Sequence, residues 1–269
     1  MLDDKTKRVI SAVILILLIF ITIYAGGIIF KIGVLAVTAI ALLEYINVYK
    51  TTNSRVIQGA LAFGYIINIY IVLFNKTEYL LPMIYLTIML CMAAPIFIKI
   101  YNVISSAITL VGYIYIINFF SMLAFIREFN HGSVLAWLPF IIAWFSDTFA
   151  YYTGRFLGRR FEKKLCPRIS PKKTVVGFFG GIVGSIAGVA LWAFLIDTIY
   201  VPLYSLILLG ILAGIISQIG DLAASLIKRY IGVKDYGNLI PGHGGILDRF
   251  DSILFIAPIV YYYIKFFLG

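Results

Sequence analysis

The stretch VISAVILILLIFITIYAGGIIFKIGVLAVTAIALLEYINVY, residues 9–49, decides the fold class of this chain. Within it Lys31 and Glu44 are the only charged residues, and the only break is Ala25-Gly26-Gly27. Each side of the break holds about as many apolar residues as an α-helix needs to cross a bilayer, roughly 20. Since the apolar residues are continuous rather than alternating, the stretch predicts two membrane-spanning helices joined by a tight turn, and not the strands of a barrel.

The same apolar character extends along the whole chain. Of the 269 residues, 62% are hydrophobic and 13% are charged, and the mean hydropathy is +1.01. Soluble domains carry about 25% charged residues, so this composition excludes a water-soluble globule. We expect an all-α, polytopic integral membrane protein of about nine transmembrane helices with a cytoplasmic N-terminus. The predicted spans are 9–25, 27–49, 56–74, 79–98, 103–126, 133–152, 175–197, 201–227 and 252–268.

The distribution of Lys and Arg predicts the orientation. With nine spans and a cytoplasmic N-terminus, 18 of the 22 basic residues lie on the cytoplasmic side. Basic loops of membrane proteins stay in the cytoplasm, so this split favours a multi-pass protein of the cell (inner) membrane. Most of the positive charge lies in two loops predicted to be cytoplasmic, 153–174 and 228–251, and we expect the functional residues to lie there. The four basic residues on the outer side are Lys31, Lys76, Arg127 and Lys265.

The chain shows no linker or low-complexity segment, so we expect a single membrane domain. Residues 1–130 are interpreted as a scaffold of lipid-facing helices, and residues 131–269 as the catalytic part. The net charge of +10 is explained by topology and by attraction to anionic lipid headgroups. Nucleic-acid binding is not expected, because no soluble module exists to carry it.

Four acids lie in or beside the predicted spans at the cytoplasmic level. Asp147 ends the sixth span, Asp221 lies within the eighth, and Asp248 and Asp251 precede the ninth. A carboxylate in a bilayer is costly, so each is a candidate for function. Asp248 and Asp251 are three residues apart and would repel on one helical face unless a cation joined them. Oxygen ligands without Cys or His favour Mg²⁺. Glu44 approaches the same level from the second span.

Two further patterns accompany these acids. Gln218, Asp221, Ser225 and Lys228 are spaced by three or four residues, which predicts one polar stripe that faces protein or water. The turn Pro-Gly-His-Gly-Gly, residues 241–245, would let backbone N–H groups approach an anion. Basic residues for phosphate and acids for a metal are what phosphoryl or nucleotidyl transfer requires.

Glycines four residues apart predict close helix packing rather than chemistry. Such steps occur in the seventh span at Gly180, Gly184 and Gly188, and in the eighth at Gly210 and Gly214.

The stretch SLIKRYIGVKDYGNLIPGHGGILDRFD, residues 225–251, resembles the signature of the phosphatidate cytidylyltransferases, also called CDP-diacylglycerol synthases. Two further stretches are similar to this family: SDTFAYYTGRFLG at 146–158 and SPKKTVVG at 170–177. The run QIGDL at 218–222 belongs with them. The resemblance covers the chain from about residue 140 onward and leaves the first 130 residues as a hydrophobic scaffold.

The resemblance implies a Mg²⁺-dependent membrane enzyme that makes CDP-diacylglycerol and pyrophosphate from CTP and phosphatidate. The family's metal-binding acids correspond by motif to Asp221, Asp248 and Asp251. A second, monovalent cation and a homodimeric state are left open. The expected catalytic residues are Asp221, Lys228, Arg229, Asp248 and Arg249, and the expected substrate-binding residues are Asp147, Lys172, Lys173, Ser225, Lys234, His243, Gly244 and Gly245.

Two alternatives are kept. Another lipid nucleotidyl- or phosphotransferase, such as a CDP-archaeol synthase or a polyprenol kinase relative, would use a similar site on a different lipid. An ion-coupled transporter would use Asp147 and Asp221 as cation sites, but transporters usually contain two related halves, and no internal repeat is visible here.

The orientation can be tested by labelling from either side of the membrane. In a variant with Cys91 and Cys166 replaced, a cysteine introduced by Lys163→Cys should react with a membrane-impermeant thiol reagent only in inverted vesicles or broken cells. Labelling from outside intact cells would contradict the cytoplasmic placement of loop 153–174.

Overall fold

The computed structural model describes residues 4–158, 160–161, 163–196, 199, 201–242 and 244–268, without the side chains of residues 4, 5, 7 and 8. The described chain is predominantly α-helical. Its α-helices are α1 (Asp4–Ala25), α2 (Gly27–Tyr49), α3 (Gln58–Leu73), α4 (Leu80–Phe97), α5 (Val103–Gly112), α6 (Phe119–Ile126), α7 (Gly132–Leu135), α8 (Leu138–Phe156), α9 (Val175–Leu195), α10 (Leu203–Ile231) and α11 (Leu247–Phe267).

Four shorter elements accompany these helices in the described chain. A 3₁₀ turn, Thr77–Tyr79, precedes α4, and a π-helical segment, Tyr113–Asn118, joins α5 to α6. Strands β1 (Lys164–Cys166) and β2 (Ser170–Thr174) form an antiparallel hairpin.

The prediction of a multi-pass helical protein is confirmed. Seven helical segments in the described chain are long and apolar enough to cross a membrane. The first and third predicted spans are apolar helices of shorter length, Val9–Ala25 and Gln58–Leu73. The count of nine and the orientation therefore stay predictions. The seven segments are Gly27–Tyr49, Thr77–Phe97, Val103–Ile126, Gly132–Phe156, Val175–Leu195, Leu203–Ile231 and Leu247–Phe267.

Two helix boundaries and one hairpin differ from the sequence-based expectation. The sixth span continues to Phe156, so Asp147 lies inside α8 and not at its end. The ninth helix begins at Leu247, five residues before the predicted start, so Asp248 and Asp251 lie within α11. The loop 153–174 contains the β-hairpin, which was not predicted. Polar residues extend both helices beyond their apolar runs, and an apolar-run criterion cannot detect such extensions.

The chain forms two compact units. The first unit contains residues 1–125 and 230–250, and the second contains residues 126–229 and 251–269. The predicted division of roles between residues 1–130 and 131–269 concerns function and stays a prediction.

In the first unit, small residues make room for buried tyrosines. Tyr45 is fully buried, and its hydroxyl donates to the carbonyl of Ile108 at 2.8 Å. A Cβ on Gly112 would lie 2.7 Å from the Tyr45 ring, and one on Gly64 would lie 2.5 Å from the Tyr113 ring. The rings therefore fill spaces that only glycine leaves open, and a buried hydroxyl keeps a hydrogen-bond partner.

In the second unit, α9 packs against α8 and α10 through its glycines. A Cβ on Gly184 would lie 2.5 Å from the Phe145 carbonyl, and one on Gly188 would lie 2.9 Å from the Phe145 ring. On α10, a Cβ on Gly210 would lie 2.7 Å from the backbone of Ile186. These contacts confirm that the glycine steps are close-packing faces.

The hairpin leads directly into α9. Lys164 pairs with Thr174, and Cys166 pairs with Ser170. The Thr174 hydroxyl accepts the N–H of Gly177 at 3.0 Å and so caps α9. Because β2 ends at this cap, the two lysines before it are held at the start of α9.

Replacing Gly184 by Ala should destabilise the second unit by about 1–3 kcal/mol, because the added methyl meets a backbone carbonyl that cannot move aside. The measurement is the thermal unfolding of the detergent-purified protein. Val183→Ala is the matched control, since Val183 is 57% exposed on the same helix. Equal stability of Gly184→Ala and wild type would contradict the packing described for α8 and α9.

Candidate functional site

A cavity of about 380 Å³ lies among α8, β2, α9 and α10 in the second unit. We call it the α8–α10 pocket. It combines acids and bases within helices that are otherwise apolar, and it contains four of the residues predicted from the sequence: Asp147, Lys172, Lys173 and Asp221. The complete lining is Asp147, Ala150, Tyr151, Gly154, Arg155, Lys172, Lys173, Thr174, Gly177, Phe178, Gln218 and Asp221.

The central contact of the pocket joins Lys173 to Asp221. Lys173 Nζ lies 2.6 Å from Asp221 Oδ2, and both side chains are partly exposed. Asp221 Oδ1 also accepts from the Ser225 hydroxyl at 3.4 Å, a long contact. The helix that carries Asp221 is anchored by buried Gln218, whose amide donates to the Phe178 carbonyl at 2.9 Å. The polar stripe on α10 therefore faces protein, as its spacing predicted.

Asp251 brings a further carboxylate to this region of the second unit. It lies within electrostatic range of Asp221, Lys228 and Asp147. A Cβ on Gly220 would lie 3.0 Å from the Asp251 carbonyl, so a glycine lets α10 and α11 approach closely here. Lys228 is buried and supplies positive charge beside these acids. Mutual repulsion of the carboxylates is thus offset by lysines from β2 and α10.

The donor set of the second unit fits Mg²⁺ shared with a substrate. Proteins usually hold Mg²⁺ through one or two carboxylates together with water and substrate phosphates. Asp221 and Asp251 offer such carboxylates beside a basic pocket. Among the described residues, no group of three or more His, Cys, Asp or Glu side chains is arranged to hold a metal ion by itself.

Gly244 and Gly245 lie in a Gly-rich loop of the first unit, which we define as residues 235–247, and Lys234, Asp248 and Arg249 flank this loop. Its turn is closed by the Ile240 N–H, which donates to the Gly244 carbonyl at 2.9 Å. Gly242 and Gly244 have φ values of +77° and +84°, a region that favours glycine. A cavity of about 480 Å³ lies here, and its lining is Lys234, Asp235, Asn238, Ile240, Gly242, Gly244 and Arg249.

Asp248 orders this loop from the first turn of α11. Its Oδ2 accepts the N–H groups of Tyr236 at 2.8 Å and Gly245 at 3.0 Å, and the side chain is 5% exposed. The N–H groups of Ile246 and Leu247 point to another carboxylate, that of Glu44. These four N–H groups donate to carboxylates of the protein itself, so they are not available to bind an anion in the expected nest. Assignment of Asp248 to a metal stays a prediction.

His243 lies outside the described residues. Arg229 is exposed near the end of α10.

Tyr151, Arg155 and Glu44 were missed as site residues. Asp147, Tyr151 and Arg155 are spaced by four residues along α8 and share one face, and an Arg155 N–H donates to the Tyr151 hydroxyl at 3.2 Å. That spacing is a helical signal that was readable from the sequence. The contact of Glu44 with the loop has no such signal, because 202 residues separate Glu44 from Ile246.

The structure thus defines a protein of apolar helices with a pocket lined by both acidic and basic side chains. The model of the cytidylyltransferase family matches residues 6–267, and the chain belongs to this family. The predicted resemblance is thereby confirmed, and the transporter alternative is not favoured.

Relatives with curated names support the same family assignment. The chain is 41% identical over 138 residues to the phosphatidate cytidylyltransferase of Bacillus subtilis, an alignment that covers 51% of this chain and 50% of the relative. It is 46% identical over 121 residues to that of Staphylococcus epidermidis, covering 45% of each. It is 46% identical over 138 residues to that of Synechocystis, covering 51% and 45%. The chain spans about half the length of the curated relatives it matches.

Proposed function

We propose that the protein transfers CMP from CTP to phosphatidate in phospholipid biosynthesis, at the cytoplasmic face of the cell (inner) membrane. An oxygen of the lipid phosphate forms a bond to the α-phosphorus of CTP, the bond between the α-phosphorus and the bridging oxygen breaks, and pyrophosphate leaves. The α8–α10 pocket carries this proposal, because it is where acids and bases line a cavity between apolar helices. The names of the relatives support the choice of substrates.

The first barrier to the reaction is electrostatic repulsion between CTP and phosphatidate, which are both polyanions. The basic residues of the pocket would lower this repulsion. Lys172, Lys173 and Arg155 line the cavity from two elements, so phosphate groups from either side would meet positive charge. Holding the reactants in this way also provides orientation. A phosphate monoester is largely ionised at neutral pH, since its second pKa is about 6. The lipid phosphate therefore needs no strong general base.

Mg²⁺, held by Asp221 and Asp251, would neutralise charge on the phosphates and on the departing pyrophosphate. Buried Lys228 would balance these acids, and Ser225 would orient Asp221. Lys234 and Arg249 line the cavity of the Gly-rich loop and would bind phosphate oxygens there. The assignments of Asp248 to the metal and of Arg229, His243, Gly244 and Gly245 to catalysis or substrate rest on the resemblance.

The decisive assay uses purified protein, CTP labelled on the cytosine, phosphatidate and Mg²⁺. Wild type should give labelled lipid and an equimolar amount of pyrophosphate. Asp221→Asn should lower turnover at least about 100-fold, roughly 2.7 kcal/mol of transition-state stabilisation, because it removes the charge that pairs with Lys173 and would hold the metal. Insertion should be unharmed, since a neutral amide is easier to bury than a carboxylate.

Glu78→Gln is the matched control for this assay. It also removes one carboxylate from an ion pair, that of Lys76 and Glu78 at 3.6 Å, but at an exposed position of the first unit. Near-normal turnover of Asp221→Asn at limiting Mg²⁺ would contradict the metal assignment. Transfer to a polyprenol or to an archaeol-type lipid, with none to phosphatidate, would contradict the choice of substrate.

The two lysines of β2 should differ in effect. Lys172→Ala removes a charge from the pocket wall, whereas Lys173→Ala also leaves Asp221 without its ion-pair partner. We expect both variants to lose turnover, the Lys173 variant more, and the double variant to lose at least about 100-fold while the protein still inserts. Steady-state kinetics with each substrate varied in turn gives the measurement. An unchanged kcat/KM of the double variant for both substrates would remove these lysines from the site.

A further inference from the structure

Glu44, near the end of α2, reaches a loop that lies about 200 residues further along the chain. Its side chain is 8% exposed. Oε1 accepts the N–H of Ile246 and Oε2 accepts the N–H of Leu247, each at 2.9 Å. Since α11 begins at Leu247, these two donors stand at the start of a helix, where backbone N–H groups lack partners within the helix. One carboxylate of α2 therefore caps α11.

The Gly-rich loop has two arms, which are the residues before and after its turn at 240–244, and both arms contact this same carboxylate. A Cβ on Gly237 would lie 2.7 Å from Glu44 Oε1, and a Cβ on Gly245 would lie 2.5 Å from Glu44 Oε2. Real Cβ atoms do not approach oxygen atoms this closely, so a side chain at either position would displace the carboxylate or the loop. The two glycines thus mark where the loop wraps around Glu44.

The Asp248 carboxylate is the second group that contacts both arms of the loop. Its Oδ2 joins Tyr236 on the first arm to Gly245 on the second. Between the arms, the tip of the loop and its flanks line the 480 Å³ cavity, with Lys234 and Arg249 as its positive charges. The shape of that cavity follows from the separation of the two arms, and the separation is set by the two carboxylates.

Glu44 cannot leave this position at low cost. A buried carboxylate without hydrogen bonds is strongly unfavourable in an apolar helical environment. Its two N–H partners are likewise buried donors that require an acceptor. Movement of the loop away from α2 would leave all three groups unsatisfied together, so the contact favours a single arrangement of the loop.

We propose that Glu44 is a positioning residue of the enzyme: it holds the Gly-rich loop in the shape in which Lys234 and Arg249 bind phosphate groups of a substrate, without touching the substrate itself. The phosphate part rests on the proposed function, whereas the contact between Glu44 and the loop does not. The second helix would then shape a substrate site, in addition to serving as scaffold.

Amide hydrogen exchange of the full-length protein in detergent tests the contact without any need for turnover. In Glu44→Gln one oxygen can still accept an N–H, but the amide NH₂ faces the other donor and repels it. We expect exchange in peptides that cover residues 236–247 to become at least about 10-fold faster, as expected for the loss of a charge-assisted hydrogen bond. Unchanged exchange in this loop would overturn the proposal.

Thr38→Val is the matched control for a polar change in α2. Thr38 is 1% exposed, and its hydroxyl donates to the Val34 carbonyl of its own helix at 2.7 Å. This variant should leave exchange in the loop as it is in wild type. If it accelerated exchange there as much as Glu44→Gln, the effect would belong to α2 packing in general, and the proposal would fail.

Kinetics separates positioning from a merely structural role. In Glu44→Gln, the KM of the substrate whose phosphates bind the loop should rise about 10-fold or more, while the KM of the other substrate stays within about twofold. A loss of rate that only follows the amount of folded protein, with both KM values unchanged, would overturn the proposal. A wild-type protein that makes no CDP-diacylglycerol would refute the proposed function, and hydrogen exchange would still decide the contact.

A double-variant comparison addresses the fit between Glu44 and the loop. Gly245→Ala should raise the same KM strongly in the wild-type background, because its methyl meets Glu44 Oε2. In a Glu44→Ala background the space is empty, so the added methyl should cost at most a small further factor. Equal and independent effects of the two substitutions would overturn the proposal.

Discussion

Every carboxylate that enters an apolar helical environment needs a partner, and the described site residues follow from this requirement. Asp221 pairs with Lys173. Glu44 and Asp248 each accept two backbone N–H groups. In water such contacts would compete with solvent and contribute little, whereas an apolar environment makes an unsatisfied acid so costly that each one dictates the position of its neighbours. The acids therefore determine local structure as well as chemistry.

Glycine is the second requirement, because it lets polar groups from different helices come together. In the second unit, the α9 glycines bring α8 and α10 close enough for Asp147 and Asp221 to line one cavity. In the first unit, Gly237 and Gly245 leave the space in which Glu44 lies. The glycines thus serve two purposes with one physical basis: the absence of a Cβ permits backbone and side chain to approach without a void or a clash.

Much of the candidate site was predictable from the spacing of polar residues. On α10, intervals of three and four residues placed Gln218, Asp221 and Ser225 on one face, and the structure turns that face toward protein. Lys172 and Lys173, which were predicted to bind substrate, also line the pocket. The partner of Asp221 was not predictable, since Lys173 comes from a hairpin whose strands are too short and polar to show a strand pattern. The start of α11 at Leu247 was missed for a related reason. The N–H groups at its start donate to Glu44 of α2, and no residue next to them in the sequence indicates this contact.

The amino-acid sequence alone determined the fold class, through the length and continuity of its apolar runs, and the family, through the polar motif at 225–251. It also determined which acids and bases are candidates for chemistry, since charged residues in apolar segments stand out without any structure. Only the tertiary structure decided which charge meets which partner. It assigned Lys173 to Asp221 and Glu44 to the start of α11, because such pairs depend on helix packing between distant segments, and spacing along one helix carries no information about a neighbour from another part of the chain.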